Sequence, residues 1–227
     1  MEMEITLPEE LAMMTLPNVT FFPQALLPLH IFEPRYRQML VDSLASHRLF
    51  AVAGLKEKTK AGQDAFEPPC RVATVGIVRA CQKADDGTSN LLLQGLARVE
   101  ILRILGEEPY RTVRVRALAS EAGAAPEENV RLRKVAGKLI VTKQRLGGTV
   151  PREFAQFLKT IDDPETFVDL AAFSLFEDAG FKQKLLETLD VHRRLELFSR
   201  QMEVEIEQMK LRRKLQGKLG DDDIALN

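Results

Sequence analysis

Apolar and polar positions alternate along much of the first half of the chain, from about residue 11 to residue 118. In residues 110–117 the two valines, Val113 and Val115, fall on one face, and polar side chains fall on the other. This period of two is typical of half-exposed β-strands. The pattern therefore predicts that the first half is mostly strand.

A hairpin is predicted in the middle of this half. Residues 71–82 form one extended segment, a second begins at Leu91, and Asp86-Gly87 between them is typical of a tight turn. Gly76 and Gly95 fall inside the two segments, where glycine often marks a bulge that lets a sheet curl. Curling favours a closed or half-closed barrel.

A proline-bounded corner is predicted near residue 30. Pro28 has no N–H to give to a sheet, so residues 24–31 should form an edge strand or a bulge. Pro34 suits the first turn of a helix, and apolar positions then recur every three or four residues. They are Tyr36, Met39, Leu40 and Leu44.

After a small, flexible run near residues 119–126 the spacing of apolar positions changes to that of helices. We therefore place a subdomain boundary there and expect an α+β fold. Residues 1–119 form the β-rich barrel subdomain in this interpretation, and residues 120–227 form a helical bundle with a long last helix.

The last helix carries an apolar stripe that continues through Met202, Ile206 and Met209. A stripe at helical spacing usually packs in the core, which is the expectation for residues 195–202. Beyond Glu203 the helix either folds back or contacts another chain, and methionine repacks easily at such contacts. These three residues are candidates for partner binding or for oligomer formation.

Phe21 and Phe22 are a second candidate. If Phe21 faces the core, strand alternation turns Phe22 outward, where it could hold an apolar segment of an unfolded chain. A turn packed by both rings is an equal alternative.

The charge balance argues against two classes of partner. The 227 residues contain 32 Lys and Arg against 33 Asp and Glu, a net charge of -1. No global field therefore draws the chain to nucleic acid or to an anionic membrane, and we expect neither as a partner. The acidic first ten residues do not resemble a signal peptide, and the two cysteines fit buried thiols in a reducing compartment. We expect a cytoplasmic protein.

Catalytic and metal motifs are missing from the sequence. No Gly-x-x-x-x-Gly-Lys-Ser/Thr loop occurs, and no serine lies in a Gly-x-Ser-x-Gly elbow. The three histidines and two cysteines have no ligand spacing. We therefore expect no enzyme, no cofactor and no metal.

Several motifs in order resemble the Lon protease N-terminal domain family, also called the Lon substrate-binding domain. The resemblance covers nearly the whole chain and depends on the order in which these motifs follow one another. Its segments are residues 16–23 (LPNVTFFP), 28–36 (PLHIFEPRY), 90–98 (NLLLQGLAR), Pro109-Tyr110, 185–187 (LLE) and 190–196 (DVHRRLE).

This resemblance implies a PUA-like small barrel and the binding of other proteins or unfolded polypeptide segments. In full-length Lon proteases an ATPase module and a Ser-Lys peptidase module follow this domain, and neither is present here. We therefore expect a stand-alone, non-catalytic binding domain, which could act as an adaptor for client proteins.

RNA binding is the alternative, because PUA-like barrels elsewhere bind RNA. Seven arginines fall on predicted strands, although interleaved acids count against this reading. They are Arg71, Arg79, Arg98, Arg103, Arg111, Arg114 and Arg116.

Overall fold

A computed structural model describes residues 7–55 and 68–216. The chain divides into two compact units that interleave along the sequence. The first unit contains Met1–Ser120 and Ala172–Leu189, and the second contains Glu121–Ala171 and Asp190–Asn227. The predicted division into subdomains 1–119 and 120–227 stays a prediction.

Six strands and six helices make up the described residues. The strands are β1 Glu10–Leu16, β2 Leu26–Ile31, β3 Leu49–Gly54, β4 Val72–Lys83, β5 Ser89–Gly106 and β6 Thr112–Leu118. The helices are α1 Pro34–Ala45, α2 Pro126–Arg145, α3 Arg152–Lys159, α4 Pro164–Leu175, α5 Ala179–Glu187 and α6 Val191–Gln216. The predicted α+β class with a long last helix is confirmed.

The strands form one mixed sheet in the order β2-β5-β4-β3-β1-β6, with a further pairing of β5 to β6. Only β1 and β3 run parallel. One edge of β5 is shared, since β2 pairs with its first half and β6 with its second half. The sheet is therefore strongly curled but does not close along its whole length, which corrects the expectation of a closed barrel.

Two glycines allow this curl, as predicted. Gly76 pairs with Gly95 where the register between β4 and β5 shifts. A Cβ at Gly95 would lie 2.1 Å from the carbonyl oxygen of Phe22, so the loop before β2 can approach β5 only where a side chain is absent. The inner face of the sheet is filled by apolar side chains such as Met13, Val75 and Val99.

The proline corner is also confirmed. Strand β2 lies at the sheet edge, and helix α1 begins at Pro34 after an extended Glu33. Tyr36, Met39 and Leu40 are buried, but Leu44 is exposed, so that part of the predicted apolar face is wrong. The next turn of α1 buries Ser43 instead.

Helix α5 packs on the sheet of the first unit. The Gln183 side chain donates to the Val72 carbonyl at 3.0 Å, and Nε of the buried Arg98 donates to the Leu186 carbonyl, also at 3.0 Å. Arg98 therefore satisfies a carbonyl at the end of α5 from a strand.

In the second unit, α2 packs against α6 through polar as well as apolar contacts. Asn129 contacts the His192 ring at 2.9 Å, and Lys143 donates to Glu205 at 2.6 Å. Because both Asn129 and Lys143 are buried, the inward face of α2 contains two polar positions that hydrophobicity alone does not identify.

Candidate functional site

A groove of about 480 Å³ lies on the first unit between α1 and the β4–β5 hairpin. Leu40, Val41 and Leu44 line its α1 side together with Arg37 and Gln38. The volume falls within the range of sites that hold a small ligand or a few side chains of a peptide. The α1 face that the sequence assigned to the core therefore borders solvent in part.

The hairpin turn fixes the opposite wall of this groove. The Thr88 amide donates to the Asp86 carboxylate at 2.9 Å, and Gly87 has a φ of +80°. Hydrogen bonds from the Thr88 amide and hydroxyl lower the pKa of Asp86, with a smaller contribution from nearby positive charge. The positive φ favours glycine at position 87, where a Cβ would also lie 2.2 Å from the mobile end of the Arg37 side chain.

Large apolar side chains are exposed on the elements around the groove. Phe32, in the corner between β2 and α1, is 61% exposed, Val41 of α1 is 59% exposed, and Leu26 of β2 is 51% exposed. The rings of His30 and Phe32 stack at 6.1 Å. Val41 and Leu44 line the groove, Phe32 lies two residues before the lining residue Pro34, and Leu26 lies at the far end of β2. Single exposed apolar residues are ordinary, but exposed apolar residues that line a groove are typical of a binding surface.

Strand β2 adds an open sheet edge to this surface. Among the described residues it pairs only with β5, so its other edge has no strand partner. Proteins often protect such edges, and Pro28 does so at one position by removing an N–H. The remaining backbone groups of that edge can pair with an added extended segment.

The predicted contact role of Phe21 and Phe22 is not supported by their burial. Phe21 is 1% exposed and Phe22 is fully buried, so of the two alternatives the structure has the turn packed by both rings, and a role of these residues in peptide binding stays a prediction. Both lie in the loop after β1, where strand alternation does not apply. The Thr74 hydroxyl donates to the Phe21 carbonyl at 2.6 Å, which fixes the loop against β4.

The candidates on α6 are also largely inside the second unit. Met202 and Ile206 are buried, and Met209 is half-buried. Their role in partner binding or oligomer formation stays a prediction. The exposed apolar residues of this helix are Val204, Leu211 and Leu215.

Sequence reasoning missed Phe32 and Val41. Phe32 belongs to the motif at residues 28–36, and the two prolines of that motif were the available signal. A side chain between an edge strand and the first turn of a helix has few neighbours to cover it. Val41 falls on the outer face of α1, opposite the buried Tyr36 and Met39.

Most strand arginines on the first unit are engaged by acids. Arg71 pairs with Glu100 at 2.6 Å, and Arg116 pairs with the same carboxylate. The Arg116 hydrogen bond, together with the charges of both arginines, lowers the pKa of Glu100. Arg114 likewise pairs with Glu10, and Arg111 with Glu107.

In residues 7–55 and 68–216, no group of three or more His, Cys, Asp or Glu side chains could hold a metal ion. In the same ranges no helix is both long and apolar enough to cross a membrane. Cys70 is buried, whereas Cys81 is exposed beside the groove, so the expectation of two buried thiols is wrong.

Comparison with known proteins agrees with the motif order. Residues 10–204 match the family described as the ATP-dependent protease La (LON) substrate-binding domain. The chain belongs to this family. Its groove, exposed apolar residues and open strand edge are thus features of a Lon substrate-binding domain.

Two curated relatives show how much of a Lon protease this domain represents. The chain is 26% identical over 219 residues to Lon protease of Desulfosudis oleivorans, a match of 95% of this chain and 26% of that protein. It is 30% identical over 223 residues to Lon protease of Syntrophus aciditrophicus, a match of 95% of this chain and 28% of that protein. The chain therefore spans about a quarter of the length of these relatives.

Solved Lon N-terminal domains share the fold. The N-terminal domain of Mycobacterium avium complex Lon protease superposes with a TM-score of 0.66 at 17% identity, covering 86% of this chain and 98% of that one. A Lon N-terminal domain protein from Xanthomonas campestris gives a TM-score of 0.59 at 21% identity, and the match covers 82% of this chain and 95% of that one.

Proposed function

We propose that this Lon substrate-binding domain binds unfolded or flexible polypeptide segments at the surface formed by β2, Phe32 and the α1 groove. The family description supports a role in substrate recognition. The observation that carries the location is the exposure of Val41 and Leu44 in the groove and of Phe32 at the end of the open strand edge. Apolar side chains of an unfolded client would cover these residues on binding.

The two parts of this surface suit the two components of an extended peptide. Its backbone can add to the open edge of β2, which gives affinity without sequence preference. Its apolar side chains can contact Phe32 and enter the groove beside Val41, which selects segments that are normally buried in folded proteins. Arg37 and Lys83 at the groove add a preference for clients with acidic residues near the apolar segment.

We further propose that residues 1–227 perform no catalysis themselves and serve as the recognition part of a protease system or as an adaptor. Incubation of the pure protein with unfolded casein, with and without ATP, should yield no fragments. Cleavage that disappears when one serine is replaced would contradict this proposal.

Binding can be measured by fluorescence anisotropy with labelled casein at micromolar protein. Phe32→Asp should weaken binding by about tenfold or more, since burial of an exposed aromatic side chain contributes roughly 1.5–3 kcal/mol. The matched control is Phe157→Asp, because Phe157 of α3 is 51% exposed and lies in the second unit.

A second pair tests the groove itself. Val41→Asp should weaken casein binding, whereas Val204→Asp on α6, an equally exposed valine, should leave it unchanged. Equal losses in both members of either pair, with folding intact by circular dichroism, would assign binding to another surface.

RNA binding receives no comparable support. Of the seven arginines that the sequence assigned to strands, four pair with carboxylates, Arg98 is buried, and Nε of Arg79 donates to Gln94 at 2.6 Å. Protein partners are therefore the proposal that the surface favours.

A further inference from the structure

A second cavity, of about 570 Å³, lies inside the second unit between α2, α3 and the first turn of α4. Its floor is apolar, formed by buried residues such as Ile140, Leu158 and Phe167. It belongs to neither the groove nor the open edge of β2, and its volume suits a small molecule.

The rim of this cavity is entirely basic in its charged residues. Among the described residues, five cations line it and no carboxylate does. They are Arg133, Lys134, Lys138, Arg145 and Lys159. Within the described residues, none of the last four makes an ion pair, whereas neighbouring cations such as Lys143 and Arg194 are paired. The cavity therefore has a positive potential that the fold does not neutralise.

Helix stability does not account for all of this charge. Arg145 and Lys159 each lie at the last residue of a helix, where a cation is favourable. Lys134 and Lys138 lie within α2, and like charges four residues apart destabilise a helix slightly. Their positions are thus a small local cost in a part of α2 that borders the cavity.

Gly137 is a second local cost at the same place. It lies in the interior of α2, where glycine is less favourable than alanine by about 0.5–1 kcal/mol. No packing demand explains it, because a Cβ there would meet no other atom within 4 Å. The missing side chain instead keeps the wall of the cavity open.

Arg133 contributes the deepest positive charge. Its terminal nitrogen donates to the carbonyls of Leu158 and Lys159, at 3.2 and 3.1 Å, and to that of Ile161. Its Cζ lies 4.9 Å from the centre of the Phe167 ring. Its Nε is buried without a hydrogen-bond partner, so the protein satisfies the donors of this guanidinium only in part.

From these observations we propose that the cavity binds an organic phosphate, a small molecule that joins one or more phosphate groups to an apolar or aromatic part. The phosphates contact Lys134, Lys138 and the cations at the two helix ends through charge-assisted hydrogen bonds. The apolar part covers Ile140 and Leu158. Departures from local stability rules are expected at binding sites. Three of them occur at this cavity: the like charges of Lys134 and Lys138, the glycine inside α2, and the unpaired Nε of Arg133.

Isothermal titration calorimetry tests the ligand class with four probes, ATP without magnesium, inorganic tripolyphosphate, adenosine and a glutamate-rich peptide. ATP should bind with a stoichiometry of one, tripolyphosphate should bind more weakly, and adenosine should show no heat. No binding of ATP at millimolar concentration would overturn the proposal. If tripolyphosphate bound as tightly as ATP, the proposal that the ligand has an apolar part would be wrong. If a glutamate-rich peptide bound more tightly than ATP, the ligand would be an acidic protein segment and not an organic phosphate.

Variants test the location. The double variant Lys134→Gln and Lys138→Gln should weaken ATP binding by about tenfold or more. Its matched control is Arg131→Gln with Arg152→Gln. These two arginines lie on α2 and α3, the helices that border the cavity, but outside the cavity lining. Gly137→Leu should fold and lose ATP binding because its side chain enters the cavity, whereas Gly137→Ala should bind ATP as the original protein does. Unchanged affinity in both the double-lysine and the leucine variants would overturn the assignment.

Discussion

The Tyr110 hydroxyl donates a hydrogen bond of 2.8 Å to Oδ2 of Asp42, and this contact joins the turn before β6 to helix α1. Asp42 also accepts from the Gln38 side chain at 2.8 Å. Burial, then the hydrogen bond to Asp42, raises the pKa of Tyr110 above its usual value, which favours the protonated hydroxyl as donor. The contact thereby holds one end of the α1 wall of the groove.

Tyr110→Phe should therefore lower the free energy of unfolding by about 1 kcal/mol, the typical contribution of a hydrogen bond to a charged acceptor in a half-buried place. Urea denaturation measures this. Asp42→Ala should cost at least as much, since it also removes the hydrogen bond from Gln38, and the double variant should lose less than the sum, because both changes remove the contact between Tyr110 and Asp42. Full additivity would show that the two residues act independently.

The Arg194 and Asp169 side chains form a buried ion pair in the second unit. They are 0% and 1% exposed, and their closest atoms lie 2.9 Å apart. Arg194→Met should destabilise the protein by about 3–5 kcal/mol, since it leaves the carboxylate of Asp169 buried without its cation. Adding Asp169→Leu to that variant should recover much of the loss, and a thermal melt that shows no recovery would contradict this explanation.

Gly95 and Gly137 predict opposite effects of the same substitution. Gly95→Ala places a Cβ 2.1 Å from the Phe22 carbonyl oxygen and should cost at least about 3 kcal/mol, because a backbone has to move. Gly137→Ala meets nothing and should stabilise by about 0.5–1 kcal/mol. Chemical denaturation of the two variants side by side compares them, and destabilisation by Gly137→Ala would mean that α2 packs more closely than described.

Glu100 gives a pH dependence with a definite sign. Because its arginine partners lower its pKa in the folded state, its contribution to stability is complete above the ordinary value of 4.5 and is lost as the pH falls through the lower folded value. Glu100→Gln should therefore be less stable than the original protein at pH 7, and the two should converge as the pH drops below 4.5. Melting temperatures across this range test the effect, with Glu153→Gln on an exposed helix as the control.

The parts of the fold that the sequence predicted depend on residues with a strong local preference. Pro28, Pro34 and the Asp86-Gly87 pair restrict the backbone where they stand, so the edge strand, the start of α1 and the hairpin follow from single positions. Gly76 and Gly95 marked the bulge for the same reason.

The parts that sequence missed depend on tertiary partners. The inward position of Phe22 follows from a loop that packs on β5, and the burial of Asn129 and Lys143 follows from His192 and Glu205 on a distant helix. The spacing of apolar residues along the sequence does not show which distant side chains will be in contact. The basic cavity was missed because its five cations come from two helices and balance the acids elsewhere in the net charge.

The interleaving of the two units has a consequence for synthesis of the protein. Helix α5 supports the sheet through Gln183 and receives Arg98, yet it follows most of the second unit in the chain. Because ribosomes add roughly 5–20 residues per second, the nascent sheet waits several seconds before α5 emerges to cover it. During that interval the Val72 carbonyl and the Arg98 side chain lack the partners that α5 provides in the finished fold.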